Sequence, residues 1–437
     1  MRQRARASVV LWATVAVVFG TVNGWTQQSS TGSNQKVTAV RAGVLIDPRS
    51  GTVSRNQIIV VTGSKITAVG PDVPIPPAAE IIDLSKSYVL PGLMDAHTHI
   101  SWNSGWGDEG TYARLETEST AFRALMAVKL AREALNAGFT TLRDVGGIEG
   151  EYAMTDVRRA LDLGWFTGPT IQSCGKIIGP YGGQYHRVAP EYGRTWTHDF
   201  LDADSPDEVR AAVRRNIFYG ANCIKLVADN SAYHYTVDEI KAAVSEAHSA
   251  GMAVAVHVLG GEAARNVILG GADSIEHGHN LDDDLLRLMK EHGTFLSGTE
   301  FPKSHLINMY RSSTEAEAQD AKEVDRLRRS YKIGVKVVFS TDTVINMPGE
   351  TRGQTMMDYL DQWVRAEIPA PDILRAMISN NAELLRIADQ RGRIAPGYMA
   401  DMVAMPANPM DDIKALRGIN FVMKNGRPVN QKSSGGD

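Results

Sequence analysis

The chain has 437 residues, a formal net charge of −4 and 43% hydrophobic residues. That length and apolar content suit one large core with a smaller accessory unit. The near-balanced charge excludes the basic footprint of a nucleic-acid partner.

The first residues predict an export signal. Arg2, Arg4 and Arg6 form a positive n-region, residues 9–22 an apolar h-region, and cleavage is expected at about Gly24. The apolar run is shorter than the roughly 20 residues of a spanning helix, so no stable membrane span is expected after signal removal. The mature chain is expected to be exported, periplasmic or secreted. Residues 25–36, rich in Ser, Gln, Gly and Asn, read as a flexible leader. From 37 to 90, short apolar runs are punctuated by Gly51, Gly63 and Gly70, a pattern of antiparallel strands. The tail, residues 390–430, returns to that style, and Asn425-Gly426 signals a hairpin. Both ends are expected to build one small β-sandwich.

Between them, residues 91–389 alternate strand-like runs with amphipathic helical stretches such as 116–137 and 237–250. Strand-like runs fall at 140–145, 169–174, 223–227, 253–258, 274–277, 294–299 and 337–341. This predicts the α/β class and a (β/α)8 TIM-type barrel. Residues 179–200 lack a helical period, follow the third strand and read as a lid over the site. Cys174 and Cys223 are expected to be buried free thiols.

The most informative segment is Val89-Leu-Pro-Gly-Leu-Met-Asp-Ala-His-Thr-His-Ile. In a strand, residues i and i+2 point the same way, so His97 and His99 share a face, with Asp95 behind them. Lys225, His257, His277 and Asp342 follow, each at the end of a short β-like run. In a parallel β/α barrel such side chains meet in one mouth.

Those motifs carry a resemblance. Pro91-Gly-Leu-Met-Asp-Ala-His-Thr-His, Gly220-Ala-Asn-Cys-Ile-Lys, Asp273-Ser-Ile-Glu-His-Gly, Ser340-Thr-Asp-Thr and Gly392-Arg-Ile-Ala-Pro-Gly-Tyr-Met-Ala-Asp-Met-Val resemble the urease-related amidohydrolase superfamily. The likeness covers nearly all of the chain after Val37. Within the superfamily the chain is similar to the prolidase-like and imidazolonepropionase-like branches, including Xaa-Pro dipeptidase-type and ochratoxin amide-cleaving enzymes. The resemblance implies a metal-binding barrel with two divalent ions. His97, His99 and Asp342 would hold one, and His257 and His277 the other. Lys225, carboxylated by carbon dioxide, would bridge them. The residues alone permit only a buried amine with a lowered pKa. Zinc suits these ligands, with manganese, cobalt and iron also open.

The chemistry so implied is amide hydrolysis by a metal-bridging hydroxide, with Asp342 as proton shuttle. Dipeptides or N-acyl amino acids, including ochratoxin-like amides, are the expected substrates, as in dipeptidase or carboxypeptidase action. A cyclic-amide hydrolase of imidazolonepropionase or dihydroorotase type and a non-catalytic metal-binding barrel are the alternatives. Tyr235, His186 and Arg187 are candidates for the substrate carboxylate, and His279 for a partner behind His277. A homo-oligomer is expected.

Overall fold

The computed structural model describes residues 36–103, 117–147, 150–185, 187–229, 233–310 and 312–431. The expected signal and the leader up to residue 35 lie outside them, as does His186. Among the described residues no helix is long and apolar enough to cross a membrane.

The start of the chain gives β1 (Val37–Asp47), β2 (Thr52–Thr62), β3 (Lys65–Gly70) and β4 (Glu80–Pro91). Its end gives β15 (Met402–Met405), β16 (Phe421–Lys424) and β17 (Arg427–Gln431). All seven form a single mixed sheet in the order β17-β16-β15-β4-β1-β2-β3, so the two ends meet where β15 pairs with β4. One face buries Val40, Ile59, Val61, Val89, Met402 and Phe421 in a core of its own. The expectation of purely antiparallel pairing needs one correction. β4 lies parallel to β1, because the chain leaving β3 crosses back to the far side of β1. The hairpin signal is borne out. Asn425 (φ 48°) and Gly426 (φ 75°) are both left-handed, as a type I′ turn between β16 and β17 requires.

The middle of the chain is α/β with parallel sheets. β5 (Leu93–Thr98), β6 (Phe139–Asp144) and β7 (Thr170–Ser173) form a three-stranded parallel sheet. A seven-stranded sheet has the order β14-β13-β12-β11-β10-β8-β9. Its strands are β8 (Ile177–Gly179), β9 (Phe200–Asp202), β10 (Ile224–Val227), β11 (Val254–Gly260), β12 (Ser274–Asn280), β13 (Phe295–Ser297) and β14 (Val337–Val338). Successive strands pair parallel, and the helices between them cover the sheet. Covered on both faces, β10 and most of β12 are buried at successive positions rather than at alternate ones. The helices are α1 (Thr120–Asn136), α2 (Ala153–Asp162), α3 (Pro206–Phe218), α4 (Val237–Ser249), α5 (Gly261–Leu269), α6 (Asp283–His292), α7 (Lys303–Tyr310) and α8 (Ser313–Ile333). α4 begins where Thr236 and Glu239 cap each other reciprocally.

The two parallel sheets touch at two places. Asn222 N donates to the Ser173 carbonyl at 3.0 Å. On the other side Ala96 N donates to the Phe339 carbonyl at 3.1 Å, and Thr98 pairs with Thr343. The first junction corrects the reading of the cysteines. It brings the Cα atoms of Cys174 and Cys223 to 4.3 Å, and the two form a disulfide. The expectation of free thiols missed this because the end of β7 and the start of β10 are neighbours in space despite a sequence separation of 49 residues.

Candidate metal centre

Six side chains meet at the floor of one cavity of about 570 Å³: His97, His99, Lys225, His257, His277 and Asp342. Strand geometry explains each placement. His97 lies on β5 and His99 just beyond it. Lys225 is on β10, His257 on β11, His277 on β12, and Asp342 follows β14. The rings of His97 and His99 are 5.3 Å apart, those of His97 and His277 5.0 Å, and those of His257 and His277 4.5 Å. The Oδ1 of Asp342 lies 3.2 Å from His99 Nε2 and 3.6 Å from His97 Nε2.

Every imidazole has its Nδ1 engaged. His97 Nδ1 faces Glu276 Oε2 at 2.6 Å, and His99 Nδ1 donates to the Gly146 carbonyl at 2.5 Å. His277 Nδ1 is 2.8 Å from Thr299 Oγ1, and Gln184 Nε2 approaches His257 Nδ1 at 3.3 Å. The carboxylate and carbonyl acceptors hold the proton of His97 and His99 on Nδ1 and leave their Nε2 atoms for a ligand. His97 Nε2, His257 Nε2 and Asp342 Oδ1 are buried and have no hydrogen-bond partner. Orphaned buried polar atoms are costly, and a divalent cation would satisfy these. The ligand atoms of His97, His277 and Asp342 all lie within 4.8 Å of one another. The donor set therefore fits a metal ion.

The electrostatics agree. Burial holds His97, His257 and His277 well below the ordinary histidine value, with the Lys225 charge adding to it, so the imidazoles are neutral. Burial also brings the Lys225 amine down to about 8, against the pull of Glu276 and Asp342. Two of the six residues are strained. His277 (φ 68°) and Asp342 (φ 51°) are left-handed, as is Thr299 (φ 55°), at a cost of about 1–3 kcal/mol each. Hydrogen bonds hold them: Asp342 N donates to the His97 carbonyl at 2.8 Å. Asp95 supports the same corner, receiving His97 N at 2.9 Å and Thr341 Oγ1 at 2.7 Å.

The amidohydrolase family profile matches residues 88–429. The chain belongs to the amidohydrolase family. It is 29% identical over 433 residues to ochratoxinase of Aspergillus niger, a match spanning 90% of this chain and 86% of the relative. It is 23% identical over 425 residues to imidazolonepropionase of Shewanella baltica, spanning 86% and 93%. A crystal structure of a Xaa-Pro dipeptidase with methionine bound in its active site superposes with a TM-score of 0.78. The identity is 29%, and the match covers 90% of this chain and 99% of that one.

Other residues of this amidohydrolase sit differently from the sequence expectation. Tyr235 is buried and does not line the cavity; its hydroxyl donates to the Ala203 carbonyl at 2.8 Å. Arg187 is exposed and does not line the cavity either, and His186 lies outside the described residues. Of residues 179–200, Gln184, Tyr185 and Phe200 do reach the cavity. His279 stacks on His277 at 5.7 Å and has its Nδ1 3.4 Å from Glu323 Oε1. Glu276 and Arg143 escaped the sequence reading. Their strands, Phe139–Asp144 and Ser274–Asn280, are rich in polar residues, so no apolar run singles them out, and they pair at 2.7 Å with both side chains fully buried.

Proposed function

We propose that this amidohydrolase cleaves the amide bond of dipeptides or N-acyl amino acids, in a closed β/α barrel carrying two divalent metal ions. The observation that carries the reading is the convergence of six ligand-type side chains with unpartnered Nε2 and Oδ1 atoms on one cavity floor. The hydrogen bonds that join the two parallel sheets, at Ser173–Asn222 and at Ala96–Phe339, support closure of the barrel. His97, His99 and Asp342 are assigned to one ion and His257 and His277 to the other, with zinc favoured by the nitrogen and oxygen donors. When bound, the cations supply Lewis acidity at the scissile carbonyl and lower the pKa of a water from about 15.7 toward about 7.

The chain's own residues do the rest. Lys225, whose amine sits at about 8, has a neutral fraction able to attack carbon dioxide. Loss of one proton then leaves a carbamate, an anion with two oxygens between the two sets of histidines. Asp342 accepts a proton from the attacking water and delivers it to the leaving amine, so water and amide become acid and amine. Glu276, held by Arg143, keeps His97 oriented. The Cys174–Cys223 disulfide supports export of the chain, since such bonds persist in oxidising compartments.

The test is a panel of dipeptides, N-acyl amino acids and cyclic amides, offered to the purified protein loaded with zinc. Linear amides should be turned over with the higher kcat/KM. Faster cleavage of the cyclic amides would move the assignment to the cyclic-amide type.

A further inference from the structure

Above its floor the cavity has one distinctive wall. Phe301, Leu306, Met309 and Tyr310, from α7 and the residues before it, make that wall apolar. The next helix, α8, adds Gln319, Lys322 and Glu323. Among the described residues lining the cavity there are two lysines and no arginine. Lys225 is buried among the histidines. Lys322 is exposed, and its ammonium bonds the neutral side-chain carbonyl of Asn280. Neighbouring Glu323 also lines the cavity, with both oxygens engaged: Oε2 receives Phe301 N at 2.7 Å and Oε1 receives Gln319 Nε2 at 2.7 Å.

Lys322 is tied to the reacting end of the cavity. Asn280 closes β12, the strand that carries His277. Gln319, one turn before Lys322 on α8, approaches His279 Nδ1 at 3.1 Å, and His279 stacks on His277. An ammonium is a point charge suited to a carboxylate, and an apolar wall beside it lowers the local dielectric and strengthens that attraction. Tyr235 and Arg187 do not line the cavity, so neither competes for this role.

We propose that Lys322 is the anion anchor of the substrate site. It receives the carboxylate of a substrate whose bulky apolar part rests on Phe301, Leu306 and Tyr310. The proposal builds on the amide-hydrolysis reading and narrows it to carboxylate-bearing amides with a large apolar group.

The test separates the two. N-benzyl-L-phenylalanine carries the carboxylate and apolar groups with no hydrolysable bond; N-benzyl-L-phenylalaninol replaces the carboxylate by a neutral hydroxymethyl group. Both are titrated by calorimetry into the zinc-loaded wild type, Lys322→Met and Lys322→Arg, with metal content measured in each. The acid should bind the wild type more tightly than the alcohol. Lys322→Met should weaken the acid about 10- to 100-fold, the worth of a hydrogen bond to a charged group, and the alcohol by no more than about threefold. Lys322→Arg should recover most of the loss at unchanged metal content. Equal affinities for acid and alcohol in the wild type, equal losses in Lys322→Met, or no binding of either compound overturns the anchor. If the binding pattern holds while the wild type cleaves no amide in the panel, the hydrolytic reading fails and the anchor stands. If amides are cleaved and the pattern is missing, the anchor fails alone.

Discussion

Glu276 Oε2 lies 2.6 Å from His97 Nδ1, with both side chains fully buried. The other carboxylate oxygen, Oε1, receives Arg143 Nη2 at 2.7 Å and Ser274 Oγ at 2.5 Å. The carboxylate therefore fixes the proton on Nδ1 and leaves the Nε2 lone pair for a cation. Glu276→Gln keeps the volume and an acceptor for Arg143, but its amide can donate to Nδ1 and drive the proton to Nε2. We expect metal affinity to fall about 10- to 100-fold, read by chelator competition, with the circular dichroism spectrum unchanged. Wild-type affinity in this variant would show that the Glu276 contact does not set the tautomer.

Lys225 and Asp342 should separate metal assembly from proton transfer. Lys225→Ala removes the proposed bridging anion, so repulsion between two close cations is less compensated and at least one should be lost or weakly held. Asp342→Asn keeps an oxygen and nearly the same volume but cannot accept the proton. It should retain much of its metal and lose at least the roughly 10²-fold in kcat typical of a general acid–base group. Elemental analysis and kcat on the best panel substrate are read together. Two metals and full activity in Lys225→Ala would reject the bridge, and full activity in the Asn variant would reject the proton role.

The floor of the site was legible in the sequence because period-2 geometry and strand ends leave a local trace. His97 and His99 two residues apart, and Asp342 after Val337-Val-Phe-Ser-Thr, needed no knowledge of distant contacts. The walls were not legible. Lys322 lies in the charge-rich helix α8, where a lysine reads as a solvated face, and only the packing of α8 beside β12 turns it toward the cavity. Tyr235 follows an aromatic loop that looks like a substrate contact, yet its hydroxyl is used by Ala203. The parallel β1–β4 pairing and the Cys174–Cys223 bond depend on which segments become neighbours in space, and no local pattern records that. The hairpin at Asn425-Gly426 is the contrasting case, because a type I′ turn is specified by its own two residues.

The disulfide lies at the junction of the two parallel sheets, and Cys223 is two residues from Lys225. Its sequence separation of 49 gives a loop whose closure restricts the unfolded chain by about 4 kcal/mol in the chain-entropy account. The Cys174→Ala, Cys223→Ala double variant should lose stability of that order in urea unfolding. Reductant should lower the wild-type midpoint toward the variant's and leave the variant where it is. A variant as stable as the wild type would mean that the hydrogen bonds between Ser173 and Asn222 hold the junction without the covalent link.

Glu323 offers a pH test of the cavity wall. Burial pushes its carboxyl up to about 8 from an ordinary 4.5, against the pull of the Gln319 and Phe301 hydrogen bonds and of Arg326. Its folded pKa thus lies above the unfolded one, so between the two the folded state holds a proton that the unfolded state has lost. The contribution of the neutral carboxyl to stability is fully present below about 4.5 and is lost as pH rises through about 8. His279, 3.4 Å away, runs the other way: burial lowers it to about 3, so the fold loses stability as pH falls from 6.5 toward 3 and the unfolded histidine takes up a proton. Comparison with Glu323→Gln cancels that common background. The wild type should lose stability relative to the Gln variant as pH rises from 4.5 to 8, by at most about 1.4 kcal/mol per pH unit. Urea midpoints at half-unit intervals measure the difference. A wild-type-minus-variant difference that stays flat across that window would mean Glu323 ionises in the folded protein as it does in the unfolded chain, and the wall beside Lys322 would then carry a negative charge at neutral pH.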